Sequence, residues 1–102
     1  MYLVQILLPL YDNEGRAFEP ADYVQLRSDL AERFGGITAY TRAPARGIWK
    51  GDTGATTRDD IVILEVMTDD LDRAWWNGFR KDLERRFRQE SVIVRALTGT
   101  LL

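Results

Sequence analysis

Four residues in one short stretch have the side chains best suited to act on a small molecule. They are Tyr40, Arg42, Arg46 and Trp49, within ITAYTRAPARGIWK. A phenol can donate or exchange a proton, a guanidinium can hold an anion in its planar fork, and an indole can stack on a flat ring. If the chain is an enzyme, Tyr40 is expected as proton donor or acceptor, Arg42 as anion clamp and Trp49 as stacking wall. The plainer reading is that Tyr40 and Trp49 pack beneath the connection that follows them. A second polar set, Gln5, Glu65 and Arg95, is found by position, as one polar residue in each of three apolar segments. These three are candidate ligand-binding residues, or equally an intrachain Arg95–Glu65 pair bridged by Gln5.

Much other chemistry is excluded by what the chain lacks. Its 102 residues include no cysteine and no histidine. Ser-His-Asp and Cys-His catalysis are therefore impossible within it, as are thiolate and imidazole metal sites. Asp59-Asp60 and Asp69-Asp70-Leu71-Asp72 lack the spacing of a calcium loop, and no metal is expected at either. The stretch Gly51–Thr57 lacks the Gly-Lys-Ser/Thr ending of a phosphate-binding loop. No cofactor is expected.

The net charge of −2 argues against nucleic acid, whose binding rests on neutralised phosphates. Twelve arginines stand against two lysines. Either coding bias or planar recognition of carboxylate or phosphate accounts for that ratio. The opening MYLVQILLPLYD has no basic leader and is interrupted by Gln5 and Pro9, so it reads as a strand and not an export signal. No apolar run reaches the eighteen or so residues of a membrane helix. A soluble cytoplasmic protein is expected, with no membrane partner.

The elements that must position these residues follow from periodicity. The segment Asp69–Ala96 organises the chain, because Trp75, Trp76, Phe79, Leu83 and Phe87 fall on one helical stripe that needs a partner surface. Thr68-Asp69-Asp70 is expected to cap that helix, and Gln89-Glu90-Ser91 to turn it into a last strand, Ser91 to about Leu97. Arg86 falls inside the stripe and must snorkel. Arg80, Lys81, Arg85 and Arg88 line a wet face with Asp82 and Glu84 in reach.

Tyr2–Leu8 reads as a central strand covered on both faces, ending at Pro9. Asp12–Gly15 reads as a turn. A first helix is placed at about 20–34, with Pro20 in its first turn and Gly35 as a left-handed cap. Ile37–Lys50 reads as an edge strand kinked near Ala43–Gly47, and 50–60 as a hairpin connection. Asp60–Met67 is a further strand. The tail Thr98–Leu102 has no assigned element, and its two leucines suggest docking.

The order β-α-β-β-α-β in one domain, 1–102, predicts a ferredoxin-like α+β two-layer sandwich with an antiparallel sheet in order 4-1-3-2. Strand alternation sends Val4, Ile6, Leu8, Val62, Leu64, Val66, Val92 and Val94 toward the helices. Leu3, Leu7, Ile61, Ile63, Met67, Ile93 and Leu97 then fall on the open face around Gln5, Glu65 and Arg95. That face is too apolar for water, and it predicts a homodimer packed sheet to sheet, as in dimeric α+β barrels. RNA-recognition modules share the topology but stack bases on exposed sheet aromatics, where this face offers aliphatics.

Tyr40, Gly47-Ile48-Trp49 and Arg86-Phe87-Arg88-Gln89-Glu90-Ser91-Val92 resemble an uncharacterised bacterial family of small α+β proteins of unknown function. The resemblance covers about the last sixty residues and implies no activity. The leading expectation is a homo-oligomeric ligand-binding or structural domain without catalysis. The other is a cofactor-independent enzyme, an isomerase or monooxygenase, acting on a small aromatic or acidic substrate. RNA binding ranks third.

Overall fold

Strand β1 (Tyr2–Pro9) lies at the centre of a four-stranded sheet because its apolar run can pair on both edges. The computed structural model describes residues 1–42 and 61–102, with 40–42 as backbone. The other elements are α1 (Pro20–Phe34), β2 (Thr38–Arg42), β3 (Ile61–Thr68), α2 (Arg73–Arg86) and β4 (Ile93–Thr98). The sheet order is β2-β3-β1-β4 with every pairing antiparallel. This is the ferredoxin-like α+β sandwich the periodicity predicts, read from the opposite edge.

The helix-facing alternation holds. Val4, Ile6, Leu8, Val62, Leu64, Val66 and Val92 are buried with Leu26 and Leu30 of α1 and Trp76 and Leu83 of α2. Phe87, which ends α2, is 1% exposed and meets Phe18 edge-on and Tyr23 at a tilt, at centroid distances of 5.1 and 5.5 Å. The two helices are joined by aromatic rings. Phe34 of α1 stacks on Trp76 at 5.2 Å and meets Trp75 edge-on at 5.5 Å. The Arg33 guanidinium lies 4.1 Å from the Trp75 ring centre, which ties that half-buried indole to solvent-facing charge.

Several expectations are corrected. Strand β1 is central, but only one of its faces is sealed; Leu3, Gln5 and Leu7 remain partly exposed on the other. Thr68 does not cap α2: it is still in β3, and its hydroxyl donates to the Asp70 carbonyl. The cap is Asp72, whose Oδ1 accepts from the Trp75 amide at 3.0 Å. Strand β4 begins at Ile93, not Ser91. The Val92 amide is taken by the Glu84 carboxylate at 2.9 Å and is not available to the ladder.

The terminal leucines do not dock, Leu101 being 74% exposed and Leu102 fully so. The β1–β4 pairing instead closes one step earlier, where the Gly99 amide donates to the Met1 carbonyl. The kink expected near Ala43–Gly47 and the connection at 50–60 lie outside the described residues. No helix among the described residues is long and apolar enough to cross a membrane.

Candidate functional site

Register turns three isolated polar residues into a row. Gln5 stands opposite Glu65 on one side and Arg95 on the other, and Glu65 stands opposite Thr38. The Gln5 amide donates to Glu65 Oε1 at 2.9 Å, and its oxygen accepts from Arg95 Nε at 2.8 Å. A cation on the edge strand β4 and a carboxylate on β3 are thus connected through a neutral amide on β1 between them. Around the row lie Leu3, Leu7, Ile61 and Ile63, with Met67 at 54%, Ile93 at 55% and Leu97 at 44% exposure.

Of the four residues singled out on the second strand, Tyr40 and Arg42 fall within β2, while Arg46 and Trp49 lie outside the described residues. Tyr40 is paired with Ile63 and Arg42 with Ile61. Antiparallel pairing places successive rows two residues apart, about 7 Å along the strand. The Tyr40–Ile63–Leu7–Ile93 row is therefore the neighbour of the Thr38–Glu65–Gln5–Arg95 row. Tyr40 and Arg42 are thus placed on the same sheet as the Gln5–Glu65–Arg95 row, from which they are far apart in sequence.

A concavity that the residue pattern did not disclose lies between α2 and β4 on the helix side. It is a groove of about 240 Å³ floored by Val4, Trp76 and Val94 and rimmed by Arg73, Asn77 and Arg80. The Arg80 guanidinium is already held by both Glu84 oxygens, at 3.2 and 3.0 Å, and by Asn77 Oδ1 at 2.8 Å. Arg73 has no acidic partner among the described residues, so it carries the uncompensated charge. The groove can seat a ring and hold an anion, but its lining has no group that exchanges protons near neutrality. It is also smaller than the ~300–1,000 Å³ usual for drug-sized ligands. It is a shallow groove with no proton-exchanging group of its own.

Two further polar sites are structural. The Tyr23 hydroxyl donates to the Pro9 carbonyl at 2.6 Å, and burial pushes it up from 10.0 to about 12, with the Asp22 charge adding to the effect. Asp12 Oδ1 accepts from the Glu14 and Arg16 amides, both at 2.9 Å, and pins the turn after β1. The Arg16 amide is the main cause that holds this carboxyl below its ordinary value, against the opposing effect of burial. No cluster of acidic residues among the described residues could hold a metal ion.

Comparison with known proteins supports the fold. No protein-family model matches the chain, and no curated protein does. The resemblance to an uncharacterised bacterial family is thus supported only as far as a small α+β fold with an antiparallel sheet. The solved structure of a phage SAM lyase in complex with S-methyl-5'-thioadenosine is similar, with a TM-score of 0.57 at 19% identity. The match spans 94% of this chain and 79% of that one. At that identity the likeness is one of fold. The leading expectation of a domain without catalysis is corrected to this extent: the similar solved structure is that of a lyase with a small molecule bound, which favours the alternative enzyme reading.

Proposed function

We propose that the chain is a small enzyme acting by proton transfer on an acidic or aromatic small molecule, with nucleoside thioethers as the first class to test. The observation that carries this reading is the register of β2, which sets Tyr40 in the row next to Glu65–Gln5–Arg95 and Arg42 one row beyond it. A phenol and a carboxylate in neighbouring rows, with a guanidinium one row beyond the phenol, are the groups that a cofactor-independent isomerase or lyase needs. In this reading Tyr40 exchanges the proton and Arg42 and Arg46 hold the anionic group. Trp49 stacks on the ring, and the row frames the site. The phage lyase, with a nucleoside thioether bound to a similar fold, supports the choice of ligand class.

The reading includes a homodimer through the open face, supported by the exposure of Met67, Ile93 and Leu97. The chain is first screened by thermal shift against S-methyl-5'-thioadenosine, S-adenosylmethionine and simple aromatic acids. S-adenosylmethionine turnover is then followed chromatographically. A ligand at 100 times its dissociation constant adds about 2.7 kcal/mol, a readily measured shift. Tyr40→Phe is expected to lower turnover by roughly 100-fold or more while leaving the ligand-induced shift in place. Arg42→Gln is expected to weaken the shift itself. No shift with any of these compounds, together with no turnover, overturns the reading.

A further inference from the structure

The order of charges across the open face selects how a second copy packs on it. The row runs Glu65 on β3, Gln5 on β1 and Arg95 on β4, negative, neutral and positive. Arg95 donates through Nε to Gln5, and its two terminal amino groups have no acceptor among the described residues. Two copies meeting face to face are related by a two-fold axis lying in the plane between the sheets. That axis can run across the strands or along them. An axis across the strands sets Arg95 over Arg95 and Glu65 over Glu65, two like-charge contacts in a partly dehydrated seam. An axis along the strands exchanges the two sides of the sheet and sets each Arg95 over the Glu65 of the other copy.

We infer that the chain forms a two-fold dimer through the open sheet face, with the axis parallel to β1 over Gln5 and with two reciprocal Arg95–Glu65 pairs between copies. This rests on the homodimer reading above and specifies its geometry. Around the charged row, Leu3, Leu7, Ile63, Met67, Ile93 and Leu97 supply the apolar seam. Like charges directly opposed disfavour an orientation and complementary ones fix register, so the row acts as a selector of orientation more than as a source of affinity. The arrangement also has a consequence for the proposed site. With β1 on the axis, β2 of each copy projects past the centre and lies beside β4 of the other. Tyr40 and Arg42 therefore stand at the rim of the dimer, next to a strand from the second copy, and not beneath its middle.

The chain has no cysteine, so a single introduced thiol reports position without ambiguity. Glu65→Cys and Arg95→Cys proteins are treated with a short bis-maleimide, which can span facing sheets about 10 Å apart. The parallel axis predicts that each variant alone cross-links poorly and that the mixture links residue 65 of one copy to residue 95 of the other. Strong cross-linking of each variant alone overturns the inference in favour of the other axis. Charge reversal gives an independent reading by sedimentation. Glu65→Arg and Arg95→Glu should each weaken the dimer by at least roughly tenfold, and the double variant should recover it. A wild-type dimer that single reversals leave unchanged overturns the axis and spares the dimer. A wild-type monomer at micromolar concentration, with native circular dichroism, overturns both. A ring of three or more copies likewise overturns both.

Discussion

Tyr23 shows what a single buried hydroxyl contributes and when that contribution is lost. Its bond to the Pro9 carbonyl ties α1 to the end of β1, at a residue that has no N–H of its own to offer the sheet. Removing the hydroxyl with Tyr23→Phe is expected to cost about 0.5–1.5 kcal/mol in urea denaturation at neutral pH. In the folded chain the phenol is held protonated up to about 12, whereas in the unfolded chain it ionises near 10.0. The unfolded state therefore releases its proton first as pH rises, and stability is lost between those two values. Urea midpoints at pH 9 and 11 should fall for the wild type and fall less for Tyr23→Phe, and equal falls would refute the assignment. The helical spacing of Tyr23 with Leu26, Leu30 and Phe34 placed it on the inner face of α1. No pattern in the sequence could show its acceptor, a carbonyl freed by the end of a strand fourteen residues earlier.

At the scale of elements, α2 shows both what the sequence makes legible and where its limit lies. The aromatic stripe was readable because it needs only a period of 3.6 residues, and Trp76, Leu83 and Phe87 are indeed buried. The helix ends were not, because capping depends on which carboxylate first reaches an amide. Three aspartates, at 69, 70 and 72, compete there, and Asp72 makes the bond. The other end closes in a Schellman motif, with the Gln89 amide on the Glu84 carbonyl and the Arg88 amide on that of Arg85. That motif places Arg88 at φ 51, in the left-handed region where a side chain is strained. Arg88→Gly should therefore raise stability by about 0.5–1 kcal/mol, the relief of strain outweighing the added chain entropy. The ion pair lost is long, 4.0 Å from Asp12, and made by an Arg88 side chain largely in water, so it is too weak to reverse the sign. A lower denaturation midpoint for the glycine variant would show the strain to be absorbed elsewhere.

For the whole molecule, strand alternation sorted the sheet into a sealed and an open face, because a period of two leaves no third choice. The candidate site was less legible. Tyr40 and Arg42 stand out by residue type, yet their placement one and two rows from Gln5 and Glu65 depends on the β2–β3–β1 register, which joins segments sixty residues apart. The groove between α2 and β4 depends on how far a helix stands off an edge strand, which no periodicity encodes. If the open face is an interface, association stabilises the fold by mass action. The thermal midpoint should then rise with protein concentration in the wild type, and Arg95→Glu should need at least roughly tenfold more protein to reach the same midpoint. A midpoint independent of concentration in the wild type would mean the apolar face is tolerated in water.

The central position of β1 also governs the order in which the chain can fold. Its neighbours are β3 and β4, so every ladder hydrogen bond of YLVQILLP waits for segments roughly fifty to ninety-five residues further on. Local turns cannot nucleate such a sheet, and folding should take milliseconds to seconds, as for other topologies dominated by distant pairings. Until residues 61–98 have left the ribosome, the most apolar strand of the protein has nothing to pair with. During synthesis it is the segment most in need of a chaperone.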